Sequence, residues 1–148
     1  MTSPQEFFSP DEIKAITDAV VAAEKNTSGE ICVHVDQSCS GDPLEQAKQV
    51  FKARALHKTK FRNAVLFYVA LDDKKFAIWG DKGINDKVAD DFWDNEAALL
   101  LQHFKQGQYA TGLIEVINLA GEKLQEYFPY EQKGSLNEIE NEISFGRD

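Results

Sequence analysis

Residues 63–71, NAVLFYVAL, form the most continuously apolar run in the chain and restrict its fold more than any other segment. The run is rich in strand formers and too short for a stable helix, so it is expected to be the central strand of a sheet. Asp72, Asp73 and Lys74 then turn the chain back into KFAIWG. The two segments should pair antiparallel as a hairpin.

Upstream, EICVHVD (residues 30–36) places Ile31, Val33 and Val35 on one face and Cys32 and His34 on the other. Neither face reads as solvated, so a strand covered on both sides is expected. Between these strands, Asp42, Pro43 and Glu45 spell a capped helix start, and Leu44, Ala47, Val50 and Phe51 supply the buried stripe. This helix is expected to end among His57, Lys58 and Lys60, cations that suit a C-terminal dipole. Such a β-α-β unit has parallel strands and a right-handed crossover.

Ahead of the unit, Ser9, Pro10 and Glu12 predict a helix N-terminus in which hydroxyl and carboxylate satisfy exposed amides reciprocally, with Phe8 stapled onto Ile13. Ile13, Ile16, Val20 and Ala23 continue one face until Thr27-Ser28-Gly29 breaks it. After the hairpin, a helical region is expected to open at Asn85 and Asp86 and break near Asp90. It then carries Trp93, Ala97, Leu100, Leu101 and Phe104 as far as Gly107. Leu113, Ile117, Ala120 and Leu124 mark a last helix over 111–127, stopped by Phe128-Pro129. The expected fold is α/β: a three-layer α/β/α sandwich with a small mixed sheet, the β-α-β unit plus a hairpin strand, flanked by helices. Residues 1–130 form the single domain, and the acidic, polar tail 131–148 is expected to pack loosely or fray.

A chain of 148 residues can bury a core without disulfides or a structural metal. Its net charge of −9 argues against a generic nucleic-acid surface or an anionic membrane and would attract cations. The N-terminus lacks a basic segment followed by an apolar run, and no run of about eighteen apolar residues occurs, so no membrane anchor is expected. Cys32 in a strand and Cys39 in the next loop lack zinc-ligand spacing, which points to reduced thiols in a cytoplasmic protein.

Strand direction decides which loops meet. One sheet edge gathers Ser28, Gly29, Glu30, Arg62, Asn63, Gly80, Asp81 and Gly83, with Asn85 and Asp86, while the other gathers Asp36, Asp42, Asp72 and Asp73. Oxygen donors on loops suit a hard cation, Ca²⁺ or Mg²⁺, and not zinc. The segment GDKGIND can equally be a strand end and a helix cap, and it fits neither a calcium-loop nor a phosphate-cradling consensus. His34, His57 and His103 fall on a strand, a helix end and a helix, so a catalytic triad would require tertiary convergence. Cys39 reads as a plain loop cysteine, Trp79 and Trp93 as core or core-edge residues, and DKVADD as a solvated helix face.

GEICVHV, RNAVLFYVALDDKKFAIWGDKGIN and HFKQGQYATGLIEVINLAGEKLQEYFP together resemble the TPM domain, named for thylakoid, photosystem-associated and worm receptor-accessory members. The resemblance covers residues 5 to 130. It rests on Asn63 ahead of the apolar strand, the polar hairpin tip, the Gly80-x-x-Gly83 exit and the Gly107-x-Tyr109-x-x-Gly112-Leu113 link. It implies an α/β/α sandwich, divalent-cation binding by some members, and the acid phosphatase activity ascribed to a plant thylakoid member. Many bacterial relatives carry a signal peptide, a membrane helix and a glycine-rich tail that are not seen here, so the chain looks like a stand-alone cytoplasmic version.

The rule for open α/β sheets favours the carboxyl ends of the parallel strands, hence Asp36, Asp42, Asp72 and Asp73. The resemblance concentrates its polar and glycine positions at the opposite edge, which makes Glu30, Asn63, Asp81, Asn85 and Asp86 the expected metal ligands. Three functions follow as expectations: a divalent-cation-binding domain with a regulatory or accessory role towards a protein partner; a metal-assisted phosphatase, with Asp81 as nucleophile or base and Arg62 holding phosphate; and a metal-independent protein-interaction module.

Overall fold

The computed structural model describes residues 7–129 and 143–146. Its elements are α1 (Pro10–Glu24), β1 (Glu30–Asp36), α2 (Pro43–Ala53), β2 (Ala64–Ala70), β3 (Lys75–Gly80), α3 (Lys82–Asn85), α4 (Phe92–Lys105), α5 (Tyr109–Tyr127) and β4 (Ser144–Phe145). A short three-ten turn, Leu56–Lys58, follows α2. The strands form one mixed sheet in the order β3-β2-β1-β4. β1 and β2 are parallel, from Glu30 opposite Ala64 to Asp36 opposite Ala70, and β3 returns antiparallel to β2. The β-α-β unit and the hairpin are therefore both present, within the expected α/β/α sandwich.

Every residue of β1 and β2 is buried, as two covered faces require. On one face, Ile31, Val33, Val35, Val65, Phe67 and Val69 share a core with α1, α4 and α5. On the other, Cys32, Leu66, Tyr68 and Ala70 meet Ala47, Val50 and Phe51 of α2. Each large apolar side chain fully buried there contributes about 1.5–3 kcal/mol relative to exposure. α1 begins as its sequence predicts: Ser9 Oγ accepts from Glu12 N at 3.1 Å, and Glu12 Oε1 accepts from Ser9 N at 2.9 Å. Beyond its other end, Thr27 Oγ1 donates to the Leu124 carbonyl at 2.9 Å and accepts from Gly29 N at 3.0 Å, joining the start of β1 to the end of α5.

Three boundaries differ from the expectation. α2 stops at Ala53 and does not reach His57, because Ala55 takes a left-handed conformation (φ 59°) that a helix cannot pass through. Asn85 and Asp86 close α3 and do not open a helix; Asp81 caps its N-terminus. Within the tail, Ser144 and Phe145 form β4, parallel to β1 and opposite His34 and Val35, with Ile143 buried in the core beside them. The rest of that tail, 131–142 and 147–148, lies outside the described residues, as does its junction at 130. Among the described residues, no helix is long and apolar enough to cross a membrane.

Candidate functional site

At the amino edge of the parallel strands, Asp81, Asn85 and Asn63 of the expected metal ligands are engaged with neighbouring side chains and backbone. Arg62, in a left-handed turn before β2 (φ 52°), sets Nε 2.7 Å from Asp81 Oδ2 and Nη2 2.9 Å from Asp81 Oδ1. Asp81 Oδ1 also accepts from Lys82 N at 2.8 Å. The pair holds Arg62 above its ordinary pKa, through the hydrogen bond first. Asn85 donates from Nδ2 to the Gly80 carbonyl at 2.7 Å and accepts at Oδ1 from Trp93 Nε1 at 2.6 Å. Asn63 is fully buried, donates to Ser28 Oγ at 3.3 Å and leaves Oδ1 without a partner. Asp86 is exposed at the end of α3.

Glu30 is buried beside Glu24, whose Oε2 accepts from Ile31 N at 2.6 Å. Burial pushes the Glu24 carboxyl up to about 8; the neighbouring Glu30 adds to this and the Ile31 amide opposes it. A carboxyl pair of this kind keeps a proton near neutral pH. The five residues thus sit at one edge, where Asp81 and Asn85 are engaged by Arg62 and Trp93 while Asn63 Oδ1 has no partner and Asp86 is exposed. The flanking glycines have a packing reason. A Cβ on Gly83 would stand 2.1 Å from the Phe61 carbonyl oxygen, and one on Gly80 would stand 2.7 Å from the Trp93 ring. Only glycine allows α3 to approach the turn before β2 so closely.

The carboxyl edge is more open. A cleft of about 320 Å³ there is lined by Asp36, Gln37, Ser38, Cys39, Ser40, Gln46 and Gly146, at the ends of the parallel strands β1 and β4 and the start of α2. The hairpin tip is tied to it: Gln37 Nε2 donates to Asp72 Oδ1 at 2.7 Å, and Cys39 N donates to Asp73 Oδ2 at 2.6 Å. Asp42, the fourth residue expected here, caps α2 through Leu44 N at 3.0 Å. Asp42, Asp72 and Asp73 are exposed, and these contacts use one oxygen of each.

Behind the cleft runs a buried polar chain. Asp36 Oδ2 accepts from Tyr68 Oη at 2.7 Å, and Asp36 Oδ1 lies 2.9 Å from His34 Nε2. His34 Nδ1 lies 2.6 Å from Ser144 Oγ on β4. With Asp36 as acceptor, Nε2 carries the ring proton and Nδ1 accepts from the Ser144 hydroxyl. Serine, histidine and aspartate stand in the order of a hydrolytic triad, but His34 is fully buried and neither His34 nor Ser144 lines the cleft. The chain instead ties the C-terminal strand to a carboxylate that does line it.

The remaining reactive groups lie apart. Burial pushes the Cys32 thiol up to about 11, which makes it inert, and both cysteines are free and buried. Glu96 on α4 is 3% exposed, neither carboxyl oxygen has a partner, and burial pushes it up to about 8. His103 bonds Glu115 at 2.6 Å on the outer surface of α4 and α5. Among the described residues, no group of three or more His, Cys, Asp or Glu side chains is placed to hold a metal ion. Sequence reasoning missed Glu24, Glu96 and Ser144. Of these, only Ser144 carried a local signal, the β-forming Ile-Ser-Phe that follows the acidic stretch.

The TPM domain family model matches residues 1–123. No curated protein matches the chain. Among solved structures, the NMR structure of the BA42 protein from the psychrophilic bacterium Bizionia argentinensis is 46% identical with a TM-score of 0.88, covering 99% of this chain and 100% of that one. The N-terminal domain of a P. gingivalis protein has a TM-score of 0.71 at 18% identity, over 88% of this chain and 87% of that one. The N-terminal domain of the cg2496 protein from Corynebacterium glutamicum has a TM-score of 0.66 at 18% identity, over 83% and 78%. The last two share the fold; the family match and the 46% identical relative go further, and the chain belongs to the TPM domain family.

Proposed function

We propose that this TPM domain binds a divalent cation, Ca²⁺ or Mg²⁺, in the loops at the carboxyl edge of its parallel strands, and that it serves a regulatory or accessory role towards a protein partner. The observation that supports this edge is the cleft with Asp36 in its wall and with Gln37 and Cys39 tethered to Asp72 and Asp73 of the hairpin tip. Carboxylate, amide and hydroxyl oxygens there match what a hard cation takes. Few charges converge, so binding is weak and the ion keeps much of its water. The amino edge, favoured by sequence, has its best carboxylate paired with Arg62. That pairing also weakens the phosphatase reading, because it joins the intended nucleophile to the intended phosphate-holding side chain.

Amide-resolved titration with CaCl₂ and with MgCl₂ tests the proposal. Saturable shifts are expected at residues 36–40 and 72–74, reduced severalfold by Asp73→Asn and unchanged by Asp81→Asn. Shifts centred on residues 81–86 would return the site to the amino edge. Scattered shifts erased by modest salt would mean charge screening alone and leave the metal-independent interaction module. Metal-dependent hydrolysis of p-nitrophenyl phosphate would instead make the domain a phosphatase.

A further inference from the structure

The cleft is bounded by the loop after β1, by Gln46 of α2 and, far away in sequence, by Gly146 just beyond β4. β4 is only two residues long, opposite His34 and Val35, so backbone pairing alone holds it weakly. Three contacts fix its place. Gly146 N donates to the Val35 carbonyl at 3.0 Å, Ser144 Oγ meets His34 Nδ1 at 2.6 Å, and the same hydroxyl lies 3.4 Å from the Val33 carbonyl. His34 also holds Asp36, whose other oxygen is held by Tyr68. One imidazole thus bonds the carboxylate in the cleft wall on one side and the strand that carries the opposite wall on the other.

We propose that the Ser144–His34–Asp36 chain is a latch that couples docking of the C-terminal strand to the shape of the carboxyl-edge cleft, so that a ligand in the cleft and a docked β4 favour each other. The physical reason is shared structure. With β4 docked, Gly146 completes the cleft and His34 keeps Asp36 in one orientation, as an outer partner orients a liganding carboxylate. With β4 released, the cleft loses a wall and the imidazole loses its second partner. By reciprocity, whatever binds better to the completed cleft also holds β4 in place. The chain is an array of ordinary hydrogen bonds, and the strand is short enough for local opening to occur without global unfolding.

The latch can be tested without ligand; only its coupling to an ion rests on the cation reading above. Amide hydrogen exchange and amide shifts would be recorded for the full chain and for Ser144→Ala and Ser144→Thr. Ser144→Ala should speed exchange at Gly146 by about five- to tenfold, the loss of one net hydrogen bond, and shift the amides of Gln37, Ser38 and Cys39. Ser144→Thr, which keeps the hydroxyl, should restore both. Phe67 and Tyr68 in the central strand report global unfolding, so in the parent chain they should exchange far more slowly than Gly146. Unaltered Gly146 exchange and unaltered cleft amides in Ser144→Ala would overturn the latch, as would Gly146 exchange in the parent chain as slow as that of Phe67. With CaCl₂ as probe, exchange at Gly146 should slow in the parent chain, and Ser144→Ala should bind Ca²⁺ severalfold more weakly. Binding at residues 36–40 with equal affinity in both proteins would overturn the coupling. If the Ser144→Ala effects appear while Ca²⁺ shifts nothing, the cation reading fails and the latch stands.

Discussion

Arg62 grips both carboxylate oxygens of Asp81, one from Nε at 2.7 Å and one from Nη2 at 2.9 Å, across the junction between β3 and the turn before β2. Asp81 is 4% exposed, whereas the Arg62 side chain is 41% exposed. Removing the charge of Asp81 therefore costs a charge-assisted pair but strands no buried cation. Asp81→Asn, whose amide oxygen can still cap α3, should destabilise the fold by about 1–2 kcal/mol, measured by urea unfolding. An effect near zero would mean that solvent replaces the pair.

Gly83 supplies the second tie at the same junction. Its amide donates to the Arg62 carbonyl at 2.8 Å, and any Cβ would collide with the backbone oxygens of Phe61 and Arg62. Gly83→Ala should cost about 2–3 kcal/mol, because backbone cannot retreat as a flexible side chain can. Denaturant midpoints of the variant and the parent check this.

Glu96 makes stability depend on pH. Its carboxyl is raised from the ordinary 4.5 to about 8 in the fold, so between those values the folded state binds a proton that the unfolded state has released. Stability from this group is complete below pH 4.5 and declines as pH rises towards 8. The half-buried Glu24 carboxyl acts in the same direction over the same range. Glu96→Leu should stabilise the protein by about 1–3 kcal/mol at pH 8 and by less at pH 5, since the unpaired polar group is gone. Unfolding free energies at the two pH values give the comparison, and an equal gain at both would show that Glu96 does not titrate in the fold.

Thr27 joins two elements through a single hydroxyl. Replacing it by Val keeps the shape but leaves the Leu124 carbonyl and the Gly29 amide without that partner in a buried site. A loss of about 1–3 kcal/mol is expected, with faster amide exchange at Gly29 as its local signature.

The sequence by itself determined the layers of this protein. A run such as NAVLFYVAL has no polar face to give to solvent, the Asp42-Pro43 start fixes a helix between two strands, and that connection fixes their parallel direction. These are local patterns and handedness rules, which need no knowledge of distant residues. The same rules grouped Glu30, Asn63, Asp81, Asn85 and Asp86 at one edge, and the structure keeps them there. What only the tertiary structure decided is which of those groups remain available. Arg62 pairs with Asp81, Trp93 engages Asn85, and Ser144 reaches His34 across 110 residues of sequence. A carboxylate or an imidazole has the same composition whether free or paired, and its partner is chosen by packing. For that reason β1, β2 and β3 could be read from the chain, whereas β4, the cleft, the latch and the buried acids could not.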